Sequence, residues 1–148
     1  MAYIRGQIKK LYRGINSEEV IKLVKVNKVV YLAGSKGDWR KKFEEAFPDV
    51  DFINPFSKSK QNCIASFVLE DLKYVKEADL LIIYIGYPVY TGACLEAGFA
   101  YALGIPIITI WALEKGRIEP FLIGVAAKVF ADVDSAIERL KGSSLMNE

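Results

Sequence analysis

The feature that most constrains this chain is a set of short apolar runs that do not alternate with polar residues. "KVVYLAG" (28–34), "VDFINP" (50–55), "ADLLIIYIG" (78–86) and "IPIITIW" (105–111) stand out, with a weaker fifth in "AAKVFAD" (126–132). A strand with one wet face alternates; a strand covered on both faces does not, so the middle runs read as strands of a parallel sheet between helices. Helix signals fill the gaps. Asp38 can cap "WRKKFEEAF", which ends at Pro48. Asn62 can cap a long helix to about Ala78, and Gly92 to Leu103 is a third, stopped by Gly104 and Pro106. "DVDSAIERLKG" is a terminal helix with Gly142 as its stop. The alternation predicts a doubly wound α/β domain of Rossmann or flavodoxin type, with about five parallel strands and helices on both faces, over residues 28–142. Residues 143–148 read as a loose tail. Residues 1–27 stand outside the pattern as an extra amino-terminal helical segment, with Ser17 as the cap of "NSEEVIKLVKV".

Composition narrows the chemistry. There is no histidine in the 148 residues, which removes the commonest general base, the Ser-His triad and most zinc sites. Catalysis must rest on carboxylates, Lys, Tyr, Ser or Cys. Cys63 and Cys94 lack metal spacing, so no metal or other cofactor is expected, and the thiols suit a reduced, cytoplasmic chain. No secretory signal is expected, and no apolar run is long enough to span a membrane. The net charge of +2 gives no argument for nucleic acid. Residues 1–28 carry seven Lys/Arg and two Glu, a net +5, against −3 for the remainder. That basic segment is either a solvated face or a surface for phosphate or an acidic partner.

Two carboxylates stand where carboxylates cost most. At 100° per residue, Ile64, Phe67, Val68, Leu72 and Val75 form one apolar stripe with Asp71 in its middle. On the next helix Ala93, Phe99, Ala100 and Leu103 lie on the same side as Glu96. A buried carboxylate needs a partner or a cleft. Either local donors satisfy each acid, or both line a cleft beyond the strand carboxyl ends. Paired acids in a cleft are the toolkit of glycosidic chemistry, one meeting the anomeric carbon and the other handling the proton. Glu96 lies in the first turns of its helix, where the positive helix end favours an ionised nucleophile. Asp71, on the more apolar stripe, is expected to have the raised pKa. "YLAGSKGDWR" (31–40) is a strand, a Gly34-Ser35-Lys36-Gly37 loop and a helix start. Such a loop is either an ordinary turn or an anion site built on backbone N–H groups, with Lys36 and Arg40 adding charge.

"DLKYVKEAD" followed by "GACLEAGFAYALGIPII" resembles the nucleoside 2-deoxyribosyltransferase superfamily, which includes 2'-deoxynucleoside 5'-monophosphate N-glycosidases. The likeness covers residues 28 to 111, and "YLAGSKGDWR" is similar to a deoxyribosyltransferase-like branch. The resemblance implies Glu96 as nucleophile, Asp71 as the acid assisting the leaving base and Tyr31 as the holder of the nucleophile. It implies that Gly34 to Gly37 bind a 5'-phosphate. The substrate would be a nucleoside or nucleotide, with cleavage or transfer of its N-glycosidic bond. The assembly would be a homodimer or larger, with sites near subunit interfaces. Three positions depart from the pattern. Tyr90 stands where the transferases have Asp and the hydrolases Ser; Ala93 replaces a Thr; and no Asn matches the one that a neighbouring chain lends. Tyr90 and Gly92 then line the sugar end of the pocket. Tyr90 also keeps open a non-catalytic nucleotide-binding or sensing domain on the same fold.

Overall fold

Five strands pair in parallel in the order β2-β1-β3-β4-β5: β1 Val29–Gly34, β2 Asp51–Ile53, β3 Leu80–Ile85, β4 Ile107–Trp111 and β5 Lys128–Phe130. They belong to a computed structural model that describes residues 28–59, 63–113 and 120–141. The helices are α1 Trp39–Ala46, α2 Pro55–Lys58, α3 Ile64–Glu77, α4 Thr91–Ala102, α5 Pro120–Gly124 and α6 Val133–Lys141. The expected doubly wound sheet is present, and its strand order is the flavodoxin-like one.

The continuous apolar runs are explained by what covers each face. Tyr31, Ala33, Leu81, Ile83, Ile85 and Ile107 point to the side where Val75 of α3 and Ala93, Ala97 and Ala100 of α4 close the core. Val30, Leu32, Leu80, Ile82, Ile108 and Ile110 point to the other, against Trp39 and Phe43 of α1 and Val133, Ala136 and Leu140 of α6. Small residues on α4 let its backbone come close to the sheet. The edge strands β2 and β5 have three residues each, as their weaker runs suggest.

Several boundaries differ from the sequence expectation. Asp38 stands at the α1 cap position but makes no capping bond. Its backbone is helical (φ −83°, ψ −2°), whereas a capping side chain needs an extended backbone to reach the first N–H groups. The α6 cap is Asp132, which accepts from the Ser135 N–H at 2.7 Å. Helix α2 is unforeseen: Asn54 ends the strand and accepts from the Phe56 N–H at 3.1 Å, with Pro55 at the first helical position. Ile64, placed on the apolar stripe of α3, is 77% exposed, because the helix meets the core only from Phe67 onward. The expectations for residues 1–27, for Asn62 and for Gly142 lie outside the described residues.

Candidate active site

In a sheet of order 2-1-3-4-5, the chain leaves β1 to one face and β3 to the other, which opens a crevice beyond their carboxyl ends. A cavity of about 350 Å³ lies there. The β1–α1 turn contributes Gly34, Lys36 and Arg40; α2 contributes Pro55 and Phe56; α3 contributes Phe67 and Asp71. The start of α4 contributes Tyr90, Thr91, Gly92, Ala93 and Glu96. The volume falls within the ~300–1,000 Å³ usual for small-molecule sites. Two acids from two helices thus face one space.

Both acids are pushed toward the neutral form. Glu96 is raised from 4.5 to about 7, first by desolvation and then by the charge of Asp71; the Tyr31 hydroxyl and the Arg40 guanidinium pull it down. Asp71 is also raised, by burial above all, while a hydrogen bond from the Ser59 hydroxyl opposes the rise. Asp71 is raised as expected, but Glu96 is raised too, against the expectation of an ionised nucleophile. The positive end of α4 does not keep Glu96 in the ordinary carboxylate range, because dry surroundings and a second acid outweigh it.

Tyr31 lies within β1, fully buried and outside the cavity lining. Its hydroxyl interacts with Glu96 and Asp71 and is held well above the tyrosine range, chiefly by burial. No acceptor meets strict hydrogen-bond geometry at that hydroxyl among the described residues.

The glycine-rich turn serves two purposes, and its residues divide between them. Gly34 ends β1 with φ +128°, and a Cβ there would lie 2.1 Å from the Tyr84 carbonyl oxygen, so only glycine fits. Ser35 is buried and does not line the cavity. Its hydroxyl sits 3.0 Å from the Gly86 carbonyl and 2.8 Å from that of Pro88, and accepts from the Gly86 N–H at 3.2 Å. Its backbone N–H donates to Tyr84 at 3.1 Å. Ser35 thus pins the β1–α1 turn to the β3–α4 loop, and the structure does not turn it toward a ligand. Gly37 likewise falls outside the lining, whereas Gly34, Lys36, Asp71, Tyr90, Gly92 and Glu96 come together.

Arg40 is buried, lines the cavity and braces the turn with three of its five N–H donors. Nε donates to Leu32 (3.2 Å), one terminal nitrogen to Ser35 (2.9 Å) and the other to Gly34 (3.0 Å), all at carbonyls. Burial lowers its pKa to about 10, so it is still a cation at neutral pH. The guanidinium lies between the Trp39 ring at 4.3 Å and the Phe56 ring at 4.8 Å. Phe56 also carries Lys36 over its face at 5.5 Å and meets Tyr90 edge-on at 6.3 Å. Lys36 remains exposed and can meet an anion. Phe56, Phe67 and Ser59 were missed from sequence. The "INPFS" stretch directly after a strand was the available signal, since loops at strand carboxyl ends build such sites. Among the described residues, no three His, Cys, Asp or Glu side chains gather to hold a metal ion, and no helix is long and apolar enough to cross a membrane.

No family model matches the chain, and no curated protein sequence matches it significantly. Among solved structures, it is similar to a CMP N-glycosidase from Clostridium botulinum, with a TM-score of 0.60 and 22% identity over 77% of this chain and 98% of that one. It is also similar to a 2-deoxyribosyltransferase from Bacillus psychrosaccharolyticus, with a TM-score of 0.60 and 20% identity over 74% of this chain and 90% of that one. The likeness extends over nearly the whole of both structures and is a likeness of fold.

Proposed function

We propose that the protein acts on the N-glycosidic bond of a nucleoside or its 5'-monophosphate, as a member of the nucleoside 2-deoxyribosyltransferase superfamily. One observation carries the reading: Glu96 and Asp71, from two helices, line a single cavity at the point where the strand order reverses. The solved structures of similar fold act on such bonds, one on CMP and one as a 2-deoxyribosyltransferase, and they support the same class of substrate.

In this mechanism a Glu96 carboxylate oxygen attacks C1' of the sugar as the bond to the base breaks. Asp71 delivers a proton to the departing base, so the base leaves neutral. Water or a second base then attacks C1' of the glycosyl-enzyme and releases Glu96, and Asp71 takes up the proton of the incoming nucleophile. Tyr31 and Arg40 favour the ionised form of Glu96 that attack requires. Phe56 and Tyr90 offer aromatic surface to the base or sugar, and Lys36 offers charge to a 5'-phosphate. Cytoplasmic location and assembly as a homodimer or larger belong to the same proposal.

Incubation with a pool of nucleosides and mononucleotides, followed by mass spectrometry for free base, tests it. Base release that disappears in Glu96→Gln is expected; no release from any member of the pool would sink the catalytic reading. Tyr90 and the raised Glu96 favour a second reading, a nucleotide-binding domain without turnover. Saturable nucleotide binding with no base release would select it.

A further inference from the structure

We propose that Ser59 is a positioning residue for Asp71, fixing its carboxyl group toward the cavity and setting when it gives up its proton. The inference rests on the proposed glycosidic function. Ser59 is the residue that ends α2, and its own N–H donates to Pro55 at 3.1 Å. Its side chain reaches across to the middle of α3, where the hydroxyl donates to Asp71 Oδ1. Both residues are buried, Ser59 at 7% and Asp71 at 8% exposure, so water does not readily replace the bond. Ser59 does not line the cavity, whereas Asp71 does, and so do Pro55 and Phe56 of the same short helix. The bond therefore ties the aromatic wall of the site to its proton-handling acid.

Besides Ser59, Glu70 on the same helix acts on the Asp71 carboxyl and disfavours its charge. The Asp71 charge in turn raises Glu96 on α4 and the Tyr31 hydroxyl, and Arg40 lines the same cavity. Burial and the Glu70 carboxylate oppose ionisation, and the Ser59 hydroxyl is the neutral donor that favours it. A donor to a buried carboxylate fixes orientation as well as charge, because one oxygen is held and the other is left to face the ligand.

The test pairs Ser59→Ala with Ser59→Thr, which keeps the hydroxyl. The Asp71 carboxyl is titrated by carbon NMR in the free protein, and base release is measured across pH. In Ser59→Ala the Asp71 midpoint moves up and the alkaline limb of the rate profile, set by the proton that Asp71 must still hold, moves up with it, while the plateau falls several-fold because the carboxyl is no longer held in place. Ser59→Thr restores both toward the parent. An Asp71 midpoint unmoved in folded Ser59→Ala overturns the inference, as does a shift that Ser59→Thr leaves in place. If the parent protein releases no base, the functional reading fails separately, and the titration alone then decides the role of Ser59.

Discussion

Glu96 opposes folding in a definable pH window. Its pKa rises from 4.5 in the free side chain to about 7 in the fold, so the folded state holds a proton that the unfolded state gives up. Stability from this group is therefore highest below about pH 4.5 and falls as pH climbs through 7. Glu96→Gln removes that penalty and should stabilise the protein by about 1–3 kcal/mol above pH 7, allowing for the partial exposure of the site. Thermal unfolding at pH 4.5 and pH 8 checks it: the variant should gain at pH 8 and nearly match the parent at pH 4.5. A gain equal at both pH values would mean that the carboxylate is not strained. The same variant should lose base release at every pH. Asp71→Asn has a different signature. It removes the charge that helps to raise Glu96, so the Glu96 midpoint should fall, while turnover drops by about 10²–10⁴-fold for want of a proton donor. A Glu96 midpoint that stays at about 7 in Asp71→Asn would show that burial alone sets it.

The β1–α1 turn decides how close the two central strands can lie. Gly34→Ala would drive a Cβ to 2.1 Å from the Tyr84 oxygen at a φ of +128° that alanine avoids, and β1 and β3 would have to part. A loss of about 2–4 kcal/mol is expected, read as a lower denaturant midpoint with the slope unchanged. A loss under about 0.5 kcal/mol would mean that the strand ends are not held as tightly as this geometry requires. The turn was legible in the sequence as a glycine-rich loop, but its division of labour was not. A string of residues gives Ser35 and Lys36 equal claims to an anion. Only the neighbouring β3–α4 loop shows that Ser35 meets the Gly86 and Pro88 carbonyls, and only the fold shows that Arg40 braces the turn with three of its donors. The "VDFINP" run (50–55) reads as strand to its end, but the strand stops at Ile53, and the Asn54 cap with Pro55 at the first helical position starts α2. Phe56 lies just past that run, in a segment with no periodic signal of its own. Lys36→Ala should then weaken a 5'-monophosphate about ten- to a hundredfold while leaving the nucleoside unchanged, as measured by calorimetric titration. Equal weakening of both would assign Lys36 to the Phe56 wall and not to phosphate.

Across the whole molecule, the fold class was readable because burial on both faces leaves no polar alternation, and Ile82, Ile83, Ile107 and Ile110 are all fully buried. Strand order was less readable, since an apolar run records that a strand is covered and not which strand lies beside it. The edges alone left a trace, in Asp51 of β2 and Lys128 of β5. The acid pair was legible because helical spacing aimed both carboxylates inward. The rise of Glu96 was not, since it depends on burial and on the charge of Asp71, which comes from a separate helix. A site assembled from two sides of one sheet couples ligand binding to the stability of the entire domain. A ligand held only by the folded state at a hundred times its Kd adds about 2.7 kcal/mol. For a chain of this length that is a rise in Tm of roughly 5–10 °C. Thermal shift with matched nucleosides and 5'-monophosphates, on the Glu96→Gln variant so that no substrate is consumed, should give a rise for both and a larger one for the monophosphate. Equal rises would make the Lys36 turn a structural element only and the substrate a free nucleoside. No rise with any nucleoside or nucleotide would remove the cavity as their site, because a ligand held only by the folded state must stabilise the sheet that holds its site.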